Sequence, residues 1–358
     1  SSKRRSAIGR RPRAPEAMGP VAIVGAGVSG LAAARVLTAA GHAVALFDKG
    51  RRIGGRASTR EPRAGGSFDH GAQYFTARDP EFARVVSDWA DAGVVARWEG
   101  RIASVDRPGE VCEKSKNPER WVGVPNNRAV PDQLARTLPA ELASIEVGVR
   151  VDRLVRHDDG WHLSLVDMGE EGMGRSAGPF SWVVVTAPPI QATALVRGTS
   201  LESIASAHAM WPCWTTMLSF SERVPVAYDG IFVNVGPIAW CARNSSKPGR
   251  PAGEAWVLSA NPDFSTEHLE DGAENVARTC ADAFFEALGV APLSATTLQA
   301  HRWRYATPKA PGAQQLAIDP GIGLALAGDW LWGAKVQGAF LSGERTGRAL
   351  LKTAGQLA

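Results

Sequence analysis

The sequence predicts an α/β fold, and three patterns near its start carry that prediction. An apolar run at residues 21–24 has the composition of a buried parallel strand. A glycine-rich turn at residues 25–30 follows it and opens an alanine-rich helix. A second apolar run at residues 43–47 ends at the acidic Asp48, which lies 18 residues beyond Gly30. A strand, a glycine turn, a helix and an acid in this order predict a Rossmann-type domain that binds a dinucleotide.

The residues of this turn have separate predicted roles. Gly25 permits the tight turn, Gly27 lets the backbone approach a pyrophosphate, and Gly30 lets the helix pack close to its strand. The N–H groups at the helix start face the phosphates, and Asp48 binds the hydroxyls of a ribose. The predicted contacts in this region are Gly25, Ala26, Gly27, Ser29, Gly30, Asp48 and Lys49.

The next third of the chain mixes loops, helices and short strands. Residues 49–71 are rich in glycine and arginine and predict a loop wrapped on a ligand. Residues 80–89 carry Phe82, Val86 and Trp89 at helical spacing. Strands are predicted at residues 94–98 and 121–124, a short helix at 132–138, and a hairpin at 147–151 and 161–166.

The remaining elements alternate between strands and helices. A continuous β-branched run at residues 182–186 predicts a buried parallel strand. Residues 211–259 predict several short strands separated by proline and glycine turns. Further elements are predicted as a helix at 272–288, strands at 298–303 and 323–327, and a helix at 336–351.

These elements predict a nucleotide-binding domain that is interrupted twice by a mixed β-sheet plus helix substrate domain. We assign residues 19–78, 145–200 and 300–358 to the first domain, and 79–144 and 201–299 to the second. With 358 residues, the chain is long enough for about two domains. The first and last thirds of the chain must therefore meet to complete the nucleotide site.

Composition and charge exclude several classes of protein. No run approaches ~18 uninterrupted apolar residues, so no membrane-spanning helix is predicted. The four cysteines are scattered without a C-x-x-C pair, which predicts no metal site and no disulfides and favours a cytoplasmic location. Residues 1–18 carry a charge of +5 within the net charge of +4, so the remainder is near −1 and no nucleic-acid surface is predicted. This basic arm is predicted to be disordered, as an upstream extension ahead of Met18 rather than a targeting segment.

Three later motifs resemble those of a known family. The segment RIGGR at residues 52–56 follows Asp48 closely, and Gly328-Asp329 precedes the closing segment GAFLSG at residues 338–343. Together with the early glycine turn, these segments resemble the FAD-dependent amine oxidase superfamily. The segment FDHGAQYFTARD at residues 68–79 is similar to its renalase branch, in particular the bacterial members.

The resemblance implies FAD as the cofactor and assigns its contacts. The absence of cysteine from these motifs predicts non-covalent binding, and His70 keeps covalent attachment open as the alternative. Arg56 is a cation that neutralises pyrophosphate charge, and the start of the last helix stabilises the negative charge of the reduced flavin. Val151 makes contacts on the adenine side, and residues 71–73 run along the isoalloxazine ring. The contacts implied beyond the first turn are Gly55, Arg56, Gly71, Ala72, Gln73, Val151, Gly328, Asp329, Val336, Gly338 and Ala339.

Two departures from the amine oxidases favour a different substrate. Lys335 stands where those enzymes have one member of an aromatic cage, and a cation there repels a protonated amine. The segment at residues 212–220 has no lysine, whereas many relatives place one near the flavin. The resemblance to bacterial renalases instead implies oxidation of misplaced-hydride isomers of NAD(P)H, with O₂ as acceptor and H₂O₂ as product.

This substrate class needs little acid–base chemistry. Hydride loss from a dihydronicotinamide leaves an aromatic pyridinium, which drives the reaction. The protein therefore mainly stacks against the substrate, orients it and tunes the flavin. Lys335 and Gln73 are the predicted catalytic positions, through positioning of flavin and substrate. The predicted substrate contacts are Tyr74, Trp214, Arg302, Trp303 and Trp332.

Three alternatives remain open at this stage. One is an amine or polyamine oxidase, which Lys335 disfavours. Another is a flavin desaturase acting on a lipid, which would need a long apolar groove. The third is a non-catalytic flavin-binding redox sensor, which would use the same helix start. Oxygen uptake with each substrate class separates these readings.

Overall fold

The structure is a computed structural model that describes residues 18–62, 66–115, 118–169, 174–310, 312 and 315–355. The predicted basic arm lies outside the described residues, apart from Met18. In chain order the strands are β1 (Val21–Val24), β2 (Val44–Asp48), β3 (Val95–Arg97), β4 (Ile102–Arg107), β5 (Glu110–Glu113), β6 (Trp121–Gly123), β7 (Ala143–Val147), β8 (Val149–His157), β9 (Gly160–Asp167), β10 (Arg175–Phe180), β11 (Trp182–Val185), β12 (Met210–Phe220), β13 (Gly230–Val233), β14 (Ile238–Arg243), β15 (Glu254–Ala260), β16 (Ala295–Pro308), β17 (Ala317–Asp319) and β18 (Leu324–Leu326). The α-helices are α1 (Val28–Ala39), α2 (Pro80–Asp91), α3 (Ala129–Arg136), α4 (Pro189–Leu195), α5 (Glu202–Ser206), α6 (Pro262–Glu267), α7 (Ala273–Leu288), α8 (Asp329–Trp332) and α9 (Lys335–Thr353).

One of the two large sheets has six strands, in the order β17-β18-β11-β1-β2-β7. Every pair is parallel except β17 with β18. Strands β1 and β11 are buried along their whole length, as expected where helices or other layers cover both faces. Helix α1 leaves β1 through the glycine turn, and α9 packs beside it in the same hydrophobic core. The predicted Rossmann-type α/β fold is confirmed.

A seven-stranded mixed sheet forms the second half, in the order β16-β12-β15-β14-β13-β4-β5. Helix α7 covers it and buries Val276, Cys280 and Phe284 in a core shared with Trp256. Only β4 and β13 run parallel within it. This is the mixed sheet plus helix that the sequence predicts.

The length of β12 differs from the prediction of short strands. Pro212 lies inside this strand, which is 11 residues long. The pairing of β12 with β16 shifts register between Trp211 and Cys213, so the proline occupies an irregularity and no regular ladder bond is lost. The prediction of several short strands over residues 211–259 is therefore wrong for this first strand.

The predicted hairpin is present as β8 and β9, with β10 as a third antiparallel strand. Its buried side chains, including Trp161 and Leu163, pack on the face of the six-stranded sheet opposite α1. The hairpin thereby presents Val151 near the end of β2.

Two helices within the range 79–144 lie on the six-stranded sheet. Phe82 and Trp89 of α2 and Leu134 of α3 belong to the same hydrophobic core as α1 and β1. Strands β4 and β5 from that range join the other sheet. The range assigned to the substrate domain thus contributes to both layers, and the proposed division into domains stays a prediction. No helix in the described part of the chain has the length and apolarity needed to cross a membrane.

Candidate functional site

A cavity of about 1690 Å³ lies where the two sheets face each other. At one end it is lined by Val24, Phe47 and Thr186, which lie at the carboxyl ends of parallel strands. At the other end it reaches Cys213 of β12 and His301 of β16. Because a pocket for one small ligand usually measures roughly 300–1,000 Å³, this volume suits two ligands side by side.

The glycine turn after β1 forms one end of the cavity. Gly25 has φ of +107°, and a Cβ there would lie 2.5 Å from the Thr186 hydroxyl. A Cβ on Gly30 would lie 2.0 Å from the Gly25 carbonyl oxygen, so this residue serves helix packing. At Gly27, no described atom lies within 4 Å of such a Cβ, which leaves room for a ligand to approach the backbone.

The start of α1 is suited to bind an anion. Among the described residues, no side chain caps this helix start, so its first N–H groups and its positive dipole end face the cavity. The hydroxyl of Ser29 is buried there and has no hydrogen-bond partner in the described part of the protein. A bound pyrophosphate would fit the open space over Gly27. It would also accept hydrogen bonds from the first N–H groups of α1 and from the Ser29 hydroxyl.

Asp48 connects the tip of β2 to this turn. Its carboxylate accepts hydrogen bonds from the N–H groups of Ala26 and Gly50, each at 2.7 Å. Burial raises the pKa of Asp48, while these two bonds oppose that change. The carboxylate also lines the cavity, where its remaining lone pairs suit ribose hydroxyls. The neighbouring Lys49 lines the cavity too, and burial lowers its pKa.

Arg56 connects two segments that are far apart in the sequence. Its guanidinium forms two parallel hydrogen bonds to the Asp329 carboxylate, at 2.9 and 2.6 Å. It also donates to the Ala306 carbonyl at 2.8 Å. The prediction that Arg56 neutralises pyrophosphate is therefore revised, because its charge is already paired with Asp329. Arg52, exposed on the cavity wall, is a cation in the same loop that the sequence analysis did not assign.

The loop segment after Arg56 lies flat against the cavity. Ala72 donates its N–H to the Arg56 carbonyl at 2.8 Å, and a Cβ on Gly71 would lie 1.9 Å from the same oxygen. Only glycine permits this approach. The backbone of this segment therefore forms a thin wall that a flat ligand can contact.

Helix α9 starts at the cavity with unusual backbone geometry. Ala334 and Lys335 have φ of 62° and 68°, and they are the described non-glycine residues with positive φ. The helix begins at Lys335, one residue before the predicted start. Such strain is concentrated at functional sites, and here it brings Lys335 and Val336 to the cavity wall.

A cluster of three aromatic rings lines the cavity between β16 and the loop segment that follows Arg56. The rings of His70, His301 and Trp303 lie 4.5–5.2 Å apart, centroid to centroid. Burial lowers the pKa of His70 to about 3 and that of His301 to about 4, so both are neutral at pH 7. Arg60 lies 3.3 Å from Nδ1 of His301. Because a guanidinium only donates, Nδ1 accepts and Nε2 carries the proton.

Most of the residues predicted from the sequence lie on this cavity wall, although their contact with any ligand stays a prediction. They are Gly25, Gly27, Ser29, Asp48, Lys49, Gly55, Arg56, Gly71, Ala72, Tyr74, Val151, Arg302, Trp303, Gly328, Asp329, Lys335, Val336 and Ala339. Ala26, Gly30 and Gly338 lie behind the wall: Ala26 is completely buried, and a Cβ on Gly338 would lie 3.1 Å from the Trp332 carbonyl oxygen. His301 also lines it without having been assigned a role, since a histidine's surroundings leave no local sequence pattern.

Three predicted residues lie away from the cavity and are corrected. Trp214 is buried in the core under α7 and donates its indole N–H to the His268 carbonyl at 2.9 Å. Trp332 packs against the core of the six-stranded sheet. Gln73 is buried with neither amide atom hydrogen-bonded to a described residue. Trp214 and Gln73 each stand between two residues that line the cavity, but the sequence could not predict which way their side chains point.

Arg302 lines the cavity with its charge already paired. It donates to the Glu270 carboxylate at 2.9 Å, and Arg304 binds the same carboxylate through two bonds of 2.5 and 2.8 Å. The role of Arg302 in binding a substrate phosphate is therefore weakened. Across the whole cavity the charge remains positive, because eleven basic side chains line it against three acidic ones. In the described residues, no cluster of His, Cys, Asp or Glu is suited to a metal ion.

Comparison by sequence matches the early part of the chain to a known type of domain. Residues 23–89 match the family model of the NAD(P)-binding Rossmann-like domain. A segment of 51 residues is 51% identical to 4,4'-diapophytoene desaturase (4,4'-diaponeurosporene-forming) of Staphylococcus haemolyticus strain JCSC1435. That match covers 14% of this chain and 10% of the desaturase, so it concerns a short segment and not the whole enzyme.

Comparison of structures extends over nearly the whole chain. An oxidoreductase from Methanosarcina mazei has a TM-score of 0.67 at 13% identity, covering 91% of this chain and 99% of that protein. A triple mutant of putrescine oxidase, made in a redesign of cofactor binding, has a TM-score of 0.66 at 13% identity, with coverage of 94% and 99%. The chain therefore has the overall fold of these oxidoreductases, built on a Rossmann-like domain.

Proposed function

We propose that this chain is an oxidoreductase that binds FAD non-covalently in the cavity. The support is the cradle at one end: open space over Gly27, the uncapped start of α1, and the orphaned hydroxyl of Ser29. Asp48 lies at the position suited to the adenosine ribose. Cys213 is the cavity cysteine, and burial raises its pKa to about 11, so its thiol stays protonated and unreactive at pH 7. This agrees with a cofactor held without a covalent bond.

We further propose that the substrates are dihydronicotinamides, in particular isomers of NAD(P)H with the hydride at the wrong ring position. The observation that carries this proposal is the excess of basic side chains around the cavity. A positive field concentrates phosphate-bearing molecules and repels protonated amines. FAD, held by the start of α1 and by Asp48, would supply the acceptor for the hydride, and O₂ would be the terminal two-electron oxidant that is reduced to H₂O₂.

The protein's own residues then have mainly orienting roles. His70, His301 and Trp303 offer a neutral aromatic wall against which a flat ring can stack. Because a dihydronicotinamide becomes an aromatic cation on losing hydride, no side chain has to remove a proton. The N–H at Nε2 of His301 is a donor suited to a carboxamide oxygen, and Lys335 adds positive charge at the start of α9.

Anaerobic mixing of the FAD-loaded protein with candidate substrates tests this function. We expect flavin absorbance to be lost within seconds with 1,2- or 1,6-dihydronicotinamide dinucleotides, and not with putrescine. Flavin reduction by putrescine alone would instead identify an amine oxidase. Reduction by the nucleotides with no oxygen uptake in air would identify a redox sensor.

A further inference from the structure

We propose that a buried ionic network centred on Asp69 positions residues 70–72, which we call the wall segment, against the ring system of the bound cofactor. The proposal rests on the proposed function, in that FAD lies in the cavity, and it involves no substrate. His70, Gly71 and Ala72 line the cavity, whereas Asp69 is completely buried beside them. Asp69 therefore acts through its neighbours in the chain, as a positioning residue that does not itself reach the ligand.

Two buried cations neutralise the charge of Asp69. Its carboxylate accepts a hydrogen bond from the Lys247 ammonium at 3.0 Å and another from the Arg250 guanidinium, and all three side chains are completely buried. Burial opposes the ionisation of Asp69, but the two cations outweigh it and hold the pKa of Asp69 below its usual range. Burial also lowers the pKa of Lys247, to about 8, so the ammonium is mostly charged at pH 7. At neutral pH the network thus contains one carboxylate and two cations.

The network holds the wall segment at both ends. Before the segment, the N–H of Asp69 donates to Oδ1 of Asn244 at 3.3 Å, and Lys247 donates to the same oxygen at 2.9 Å. At its end, Nδ2 of Asn127 donates to the Ala72 carbonyl at 2.6 Å, and the N–H of Asn127 donates to the Asp69 carboxylate at 3.0 Å. A shift of the backbone between these two ends would therefore break a buried hydrogen bond of the network.

The network also joins the two layers of the molecule. Lys247 and Arg250 lie in the connection between β14 and β15 of the seven-stranded sheet. Arg250 donates to Oδ1 of Asn127 at 3.3 Å, and the Thr59 hydroxyl donates to the Asp69 carboxylate at 2.8 Å from the cavity loop. These contacts fix the position of the loop relative to the seven-stranded sheet, so the place of the wall segment in the cavity depends on them.

A second buried ion cluster differs from this network in what it holds. Glu254 accepts a hydrogen bond from Nε of Arg243 at 3.1 Å, and both side chains are almost completely buried. Arg243 also donates to the carbonyls of Tyr228 and Val226, at 3.0 and 2.9 Å. These four described residues do not line the cavity. The cluster around Glu254 thus stabilises its own sheet, whereas the network around Asp69 ends at the cavity wall.

A double variant separates positioning from folding. Asp69→Asn alone would leave two buried cations without their carboxylate, which destabilises the whole fold. Asp69→Asn combined with Lys247→Met removes one cation together with the carboxylate. The net charge of the network then stays the same, and the double variant is expected to fold. We expect it to bind FAD about tenfold more weakly and to show altered visible circular dichroism of the bound flavin, a signal that reports the surroundings of the flavin ring.

Glu254→Gln is the matched control, because it removes a buried carboxylate that is paired with an arginine away from the cavity. It should lower the urea midpoint of unfolding, yet leave FAD affinity within twofold and the flavin dichroism unchanged. Hydrogen exchange of the FAD-free proteins tests the same role without the cofactor. We expect residues 70–72 to exchange at least tenfold faster in the double variant than in Glu254→Gln.

Each result of this experiment bears on the positioning role. A folded double variant with unmodified FAD affinity and dichroism would overturn it, as would unmodified exchange of the wall segment. Equal changes in Glu254→Gln would also overturn it, because they would indicate general destabilisation. Absence of FAD binding by the unmodified protein would overturn both this role and the proposed function. If the expected pattern is found but no dihydronicotinamide reduces the flavin, the positioning role stands and the proposed reaction fails.

Discussion

At the residue scale, the glycine turn illustrates how far a motif can be interpreted. The sequence places three glycines at the right spacing, and the structure separates their roles. Gly25 and Gly30 are required because neighbouring atoms occupy the space of a Cβ, whereas Gly27 is required only if a ligand comes close. This difference decides what each substitution should do.

We predict that alanine at position 27 affects FAD binding, whereas alanine at position 30 affects stability. Gly27→Ala should leave the unfolding temperature nearly unchanged, since its φ of −78° and the open space around it accept a Cβ. The same variant should bind FAD about tenfold more weakly, because the methyl group separates a phosphate from the backbone. Gly30→Ala should instead lose about 1–3 kcal/mol of unfolding free energy through overpacking. Thermal denaturation and FAD titration measure both effects, and normal FAD affinity in Gly27→Ala would contradict the assignment.

The neutral histidines predict a pH dependence of stability at the same scale. The folded-state pKa values of about 3 for His70 and about 4 for His301 lie below the usual 6.5. Between pH 4 and pH 6.5 the unfolded chain therefore binds more protons than the folded chain. The free energy of unfolding consequently falls as pH decreases from 6.5 towards 4. Above pH 6.5 the two histidines do not contribute to the change of unfolding free energy with pH.

Urea denaturation at several pH values tests this dependence. His301→Gln keeps a hydrogen-bonding side chain. Between pH 4 and 6.5 it should reduce the slope of unfolding free energy against pH by the amount that corresponds to about one proton. His157→Gln, at an exposed position in the β8–β9 hairpin, is the comparison variant. An unaltered slope in His301→Gln would show that this ring is protonated in the folded protein.

At the element scale, the central contact is the ion pair between the loop that contains Arg56 and helix α8. Arg56 and Asp329 lie 273 positions apart, so no local pattern in the sequence could predict their pairing. Both residues belong to recognised motifs, and the sequence analysis assigned each to the cofactor separately. The same limit explains Pro212, whose place inside β12 depends on a register shift against a distant strand. Local patterns predicted the elements, and long-range pairing decided their bounds and partners.

We predict that Asp329→Asn weakens both the fold and the cofactor site. Asp329 is nearly buried and Arg56 is about one-third exposed, so breaking this pair should cost about 2 kcal/mol of unfolding free energy. FAD retention should also decrease, because the loop is no longer held against α8. Asp132→Asn, which breaks a pair with Arg128 in which both side chains are about one-third exposed, should cost only about 0.5 kcal/mol. Equal losses in the two variants, measured by urea denaturation, would contradict a special role for the Arg56–Asp329 pair.

At the scale of the whole molecule, two sheets with separate cores enclose a cavity between them. The sequence predicted both layers and most of the cavity wall, because strand runs and glycine turns report on backbone conformation. It did not predict the directions of Trp214, Trp332 and Gln73, which depend on packing across the two layers. The positive charge of the cavity was also hidden, since the sequence outside the basic arm is near neutral overall. Only folding brings the basic residues to one surface.

The central claim is that this cavity holds one FAD without a covalent bond. The most direct test is to count FAD per chain after reconstitution, from flavin absorbance before and after acid precipitation. We predict one FAD per chain, all of it released into the supernatant by the acid. A colourless protein that takes up no FAD from solution would contradict the account.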